Sequence, residues 1–268
     1  SVSRGLGDVY KRQMEDYTEL LLPANILVEN GFIDLLNHTE FITDEEFRSP
    51  ELIGWLYQFY ISERKDEVFA KKGKFEADEI PAATQIFTPN WIVKYMVQNT
   101  VGRIYLDNNP YTTLAYKEKW QYLVEPAEPT PAKAILHYNE LTDLKVADLA
   151  CGSGHILNEC FDLLYDLYIT EGYTRVEAIT HIFQDNLTGI DLDPRAQQLS
   201  LFALTLKACQ REHSFADAHC LPRVLTMPKV PLPLPTDTRL AVEIDAANIL
   251  LKDADSLGSI MKLALIHI

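Results

Sequence analysis

The chain has 268 residues, of which 47% are hydrophobic and 24% charged, a balance that excludes wholesale disorder and allows about one large domain or two small ones. No apolar run is long enough to span a bilayer, which excludes a helical membrane protein. A formal net charge of −15 and a pI near 4.8 repel a polyanion at long range, so these residues are not by themselves a DNA clamp.

The opening Ser1–Gln13 reads as translated sequencing-adapter sequence and is set aside as a non-native tail, and the closing Leu263–Ile268 resembles the same artefact. On that reading the chain is an internal piece of a longer protein. Residues 14–80 form a helical N-terminal region, with apolar clusters at Leu20–Leu22, Phe32–Leu36 and Leu52–Tyr60. Thr43 with Glu46 offers a capping box, and the charge-rich Lys65–Asp78, interrupted by Gly73, reads as a solvated helix face and a turn.

An α/β core is expected over residues 81–226. Pro89 suits the first position of a helix running through Trp91, Ile92, Tyr95, Met96 and Thr100. Asn109-Pro110-Tyr111 is a turn, and Pro126–Pro131 is a loop before a short helix and the first strand. Lys145–Leu149 reads as the end of a buried strand, followed by the loop Asp148-Leu149-Ala150-Cys151-Gly152-Ser153-Gly154. From Ile156 onward Cys160, Phe161, Leu164, Tyr165 and Tyr168 recur at helical spacing. Thr174–Gln184 is a further helix with an apolar face of Val176, Ile179, Ile182 and Phe183. Leu187–Asp191 is the second strand, and Asp193-Pro194 starts a helix with Asp193 as its cap and Ala196, Leu199, Phe202, Ala203 and Leu206 on one face. Strand and helix alternate as a doubly wound sheet requires. Pro228–Pro235 is an extended loop within 227–262, a linker and the start of a downstream region.

A glycine loop at the carboxyl end of a parallel strand stands where ligands bind in open α/β sheets, and glycine removes the Cβ atoms that would keep a ligand from the backbone. A dinucleotide fingerprint is disfavoured because Leu157 occupies its third glycine position. Asp191 follows Asp148 by 43 residues, longer than the usual spacing of about 20 between glycine loop and ribose acid, and the helix at 174–184 accounts for the excess. Cys151, a thiol at a helix start, could be read as a nucleophile; His155 reads as a first-turn residue near the ligand. Cys151, Cys160, Cys209 and Cys220 form no C-x-x-C pair and no zinc spacing, so reduced thiols, a cytoplasmic location and no metal are expected.

Asp148–Gly154 resembles the first S-adenosylmethionine motif of amino-methyltransferases, with Leu149 where proline is common. Phe87-Thr88-Pro89 resembles the F-T-P element of DNA adenine methyltransferases, and Gly189–Pro194 resembles their G-x-[DE]-x-D-P. Together with Leu52–Tyr60, Glu79–Tyr95 and Asp253–Ile260, these segments resemble the PglX methyltransferases of BREX phage-defence systems. The resemblance implies a Rossmann-like methyltransferase domain, incomplete here, that binds S-adenosylmethionine. It assigns Phe87, Thr88 and Pro89 to the methionine end and Asp148, Ala150, Cys151, Gly152 and Gly154 to the pocket beneath methionine and ribose. It makes Cys151 a small residue lining the loop rather than a nucleophile. Asp191 would take the ribose hydroxyls, with Leu192 beside it. It implies N6-methylation of adenine in double-stranded DNA by the full-length protein, in a phage-defence or restriction-modification system with other defence proteins as partners. The family's Asn/Asp-Pro-Pro-Tyr/Phe element does not occur, so no catalytic residue is assigned and the piece alone is expected to be inactive. A protein or RNA amino-methyltransferase, or a non-catalytic cofactor-binding module, are the alternatives.

Overall fold

The computed structural model describes residues 28–38, 43, 51–71, 73–76, 79–84, 87–114, 120–226, 233, 234, 236 and 238–251. Both suspected tails, Leu20–Leu22, Glu46 of the capping box, most of Pro228–Pro235 and Asp253–Ile260 lie outside the described residues. The chain divides into two compact units, 1–49 and 50–268. In the first, helix α1 (Phe32–His38) has Asp34 in its first turn, whose carboxylate accepts the Asn30 N–H at 2.8 Å.

The second unit is an α/β fold. It holds helices α2 (Glu51–Ala70), α3 (Ile80–Thr84), α4 (Asn90–Asn99) and α5 (Val101–Asn108), then strand β1 (Val146–Asp148) and helix α6 (His155–Thr170). Helix α7 (Arg175–His181), strand β2 (Leu187–Asp191), helix α8 (Pro194–Arg211), strand β3 (Val224–Thr226) and helix α9 (Thr238–Leu251) follow. The division at 49/50 places α2 with the α/β residues, where the sequence suggested a boundary at 80/81.

The strands are parallel in the order β1-β2-β3, with Asp148 beside Gly189 and Asp191 beside Thr226. Both acids therefore stand at the carboxyl ends of neighbouring strands. Helices α6 and α8 pack on this sheet. Gly189 lets α6 approach: a Cβ there would lie 2.7 Å from the Leu157 side chain. Leu157, Phe161, Leu164 and Tyr168 of α6 are fully buried, and burying each such side chain contributes at most about 1.5–3 kcal/mol.

The buried Asn186 amide ties the segment before β1 to the core. It donates to Leu141 O at 2.7 Å and Leu144 O at 2.9 Å, and its oxygen accepts from Tyr168 Oη at 2.8 Å. Thr174 and Glu177 form a reciprocal capping box that starts α7, and Asp193 caps α8 through the Arg195 N–H at 2.9 Å.

Several local expectations are corrected. Pro89 is the N-cap of α4 rather than its first helical residue, because its ψ of 140° is extended. The helix expected through Thr100 breaks there and resumes as α5, and beyond the break Gly102 packs against Trp120, whose ring would lie 2.9 Å from a Cβ. The first strand is not buried: Ala147 and Leu225 point away from the helices and are exposed, so among the described residues only one face of the sheet is covered. The second helical layer of a doubly wound sheet is not among them. Phe202 and Val176 face outward, 53% and 42% exposed, because Ala196, Ser200, Ala203, Leu204 and Ala208 form the buried stripe of α8 and Ala178 and Ile179 that of α7. Among the described residues no helix is long and apolar enough to cross a membrane.

Candidate functional site

A cleft of about 330 Å³ opens at the carboxyl ends of β1 and β2, a size in the range of small-molecule sites. Its lining includes Phe87, Thr88, Asp148, Ala150, Cys151, Gly152, Asp191 and Leu192 of the expected residues. Pro89 and Gly154 do not line it: the first caps α4 and the second caps α6. Thr84, Leu149, Ser153, His155 and Ile156 complete the wall.

The loop owes its shape to two left-handed glycines, Gly152 at φ 53° and Gly154 at φ 86°. Gly154 is constrained a second way, because a Cβ on it would lie 2.4 Å from the buried Ser200 Oγ of α8. The Cys151 N–H donates to Ile190 O at 3.0 Å, fastening the loop to the end of β2. Cys151 is buried, and burial first, then the charges of Asp191 and Asp148, push its thiol up to about 12. A thiol held protonated is no nucleophile.

Asp148 and Asp191 have different surroundings. Asp148 Oδ1 accepts the Ala150 N–H at 3.2 Å, whereas Oδ2 is buried with no hydrogen-bond partner. Burial raises the Asp148 pKa above its usual value, the Asp191 charge adds to this, and the Ala150 N–H opposes it. An unsatisfied buried acceptor costs about 1–3 kcal/mol, and more when charged, so positive charge brought into the cleft would favour the ionised form of Asp148.

Asp191 is held from both sides: Oδ2 accepts the Gly152 N–H and Oδ1 the Asp193 N–H, each at 2.8 Å. Each oxygen keeps further acceptor capacity for a ligand hydroxyl. Leu149 and Leu192, 66% and 59% exposed, add apolar surface to the cleft. His155 lines the wall and meets Phe87 edge to face, with ring centroids 5.8 Å apart.

Tyr57 was not foreseen. Its hydroxyl donates to Asp193 Oδ2 at 2.6 Å across 136 residues of sequence, and Arg195 pairs with the same carboxylate at 3.0 Å. Burial alone pushes the Asp193 carboxyl up, but hydrogen bonds from Arg195 and Tyr57 outweigh it and hold the group below the usual carboxylate range. The four cysteines are unpaired, and among the described residues no cluster of His, Cys, Asp and Glu could hold a metal ion.

The chain is 46% identical over 203 residues to the adenine-specific methyltransferase BrxX of Escherichia coli O9:H4 (strain HS), covering 74% of this chain and 16% of that protein. It is 37% identical over 231 residues to the adenine-specific methyltransferase PglX of Lacticaseibacillus casei (strain Zhang), covering 82% of this chain and 19% of that protein. A type II restriction enzyme and methyltransferase of Escherichia coli, RM.Eco57I, is 26% identical over 217 residues, 74% of this chain and 19% of its own length. The chain thus spans under a fifth of these relatives. No family model matches it.

Proposed function

Because the chain belongs over most of its length to the BrxX and PglX family of adenine-specific methyltransferases, we propose that it is the S-adenosylmethionine-binding part of a DNA adenine N6-methyltransferase. The observation that carries this reading is the pairing of two differently held carboxylates at adjacent strand ends. Asp148 lines the cleft with a carboxylate whose Oδ2 is buried and has no donor, and Asp191 is fixed by two backbone N–H groups while keeping acceptor capacity. The first suits the cationic methionine end of the cofactor, and the second suits the vicinal hydroxyls of its ribose.

In this reading Phe87 and Thr88 bound the methionine end, with Pro89 behind them setting the start of α4. Ala150, Cys151 and Gly152 form the floor, Gly154 lets that floor close against α8, and Leu149 and Leu192 flank the adenine. The bound cofactor would supply an electrophilic methyl group. The chain's own groups orient the cofactor and replace the water around its charges. The amine-orienting Asn/Asp-Pro-Pro-Tyr/Phe element is not within these 268 residues, so the target base is positioned by other parts of the full-length protein. That protein must also supply basic surface, since a net charge of −15 opposes DNA. The Rossmann-like half-sheet, membership of a phage-defence system and a cytoplasmic location belong to the same proposal.

The raised Asp148 pKa gives a pH dependence. In the empty cleft the carboxyl gains its proton at a higher pH than an ordinary aspartate, whereas a bound cation favours the ionised form. Cofactor affinity therefore falls with acid, beginning above the ordinary aspartate range, and binding near the apo pKa releases protons. Calorimetric titrations in buffers of different ionisation enthalpy check this. Asp148→Asn should remove the proton release, and an affinity flat from neutral pH into the acid range would contradict it.

The activity is tested by single-molecule sequencing of host DNA with and without the gene. N6-methyladenine at a recurring site only when the gene is present is expected; identical patterns would overturn the proposal.

A further inference from the structure

We infer that helix α2, which precedes every strand of the sheet, backs the cofactor site from behind its lining residues, with Tyr57 as a positioning residue for Asp191. This rests on the reading of the cleft given above. A chain of hydrogen bonds carries it. The Tyr57 hydroxyl donates to Asp193 Oδ2 at 2.6 Å, the Asp193 N–H donates to Asp191 Oδ1 at 2.8 Å, and Asp191 Oδ2 accepts the Gly152 N–H at 2.8 Å. Tyr57 is 6% exposed and packs with Ile61, Ala82, Ala196 and the cleft residue Phe87, whose ring it meets edge to face at 6.4 Å. Its orientation is thus fixed before any ligand arrives.

A second close approach on the same helix involves two other lining residues of the cleft. Gly54 lies three residues before Tyr57, on the same face of α2. A Cβ at Gly54 would stand 2.7 Å from His155 Nε2 and 3.1 Å from Ser153 Oγ, both on cleft-lining residues. Glycine inside a helix costs about 1 kcal/mol relative to alanine, and this close approach is what the position gains from it. One face of α2 therefore touches the glycine loop through Gly54 and the cap beyond Asp191 through Tyr57.

A purely structural role for Tyr57 would stabilise the unit without favouring one part of the ligand. A positioning role through Asp191 would sharpen recognition of the ribose hydroxyls in particular. The test measures, by titration calorimetry on the full-length protein, the affinities of S-adenosylhomocysteine and its 2′,3′-dideoxyribose analogue. The wild type, Tyr57→Phe, Gly54→Ala and the packing control Ile61→Val are compared. The wild type prefers the ribose form, Tyr57→Phe reduces that preference by about 3- to 10-fold, and Ile61→Val retains it. Gly54→Ala weakens both ligands together by a similar factor, because its contact is with the loop. A wild type with no preference would overturn the reading of Asp191 itself. A preference unchanged in Tyr57→Phe, or equally reduced in Ile61→Val, would overturn the positioning role, and wild-type affinity in Gly54→Ala would overturn the backing role of α2.

Discussion

Asp191→Ala weakens S-adenosylmethionine binding by about tenfold to a hundredfold in titration calorimetry on the full-length protein. A hydrogen bond to a charged acceptor contributes about 1.5–3 kcal/mol, and each 1.4 kcal/mol is a factor of about ten in affinity. The structure adds a reason to expect the upper part of that range. The Asp191 carboxylate also receives the N–H groups of Gly152 and Asp193, so its removal loosens the glycine loop and the start of α8 as well as the ligand contact. Asp191→Asn separates these effects: it keeps one carbonyl oxygen for one N–H but turns an amide donor toward the other. Unchanged affinity in a folded Asp191→Ala protein would remove this residue from the site.

Gly154→Ala destabilises the protein by about 2–5 kcal/mol. At φ 86° an L-residue pays a left-handed penalty of about 1–2 kcal/mol. The added methyl would also lie 2.4 Å from Ser200 Oγ and 3.1 Å from its Cβ, an overpacking that costs about 1–3 kcal/mol. Ser200→Ala removes the nearer of these atoms, so the double variant recovers part of the loss and keeps the backbone penalty. Denaturant midpoints of the two single variants and the double variant measure the coupling. A Gly154→Ala protein within about 0.5 kcal/mol of wild type would contradict the tight passage between α6 and α8.

The features legible in the sequence were local ones. A strand, a glycine turn and a helix lie within Val146–Thr170, and Asp193-Pro194 announces its cap because the capping carboxylate and the N–H it accepts are two residues apart. The expected cleft residues converge largely because most sit on those turns. What was not legible depends on distant partners. Nothing near Tyr57 indicates that its hydroxyl meets Asp193, and nothing near Gly54 indicates His155, since both contacts form only when α2 docks.

Periodicity also misjudged faces where small residues carry the packing. Phe202 looked like core, yet Ala196, Ser200, Ala203 and Ala208 are what allow α8 to lie close, and the larger ring turns outward. The apolar run ending at Leu149 read as buried, but β1 is an edge strand among the described residues and Leu149 has already entered the loop.

The central claim is that the cleft between Asp148 and Asp191 holds S-adenosylmethionine. Equilibrium binding of labelled S-adenosylmethionine to the full-length protein, with unlabelled S-adenosylhomocysteine and NAD as competitors, tests it most directly. Saturable one-site binding displaced by S-adenosylhomocysteine and not by NAD is the expected result; no saturable binding, or displacement by NAD instead, would contradict it.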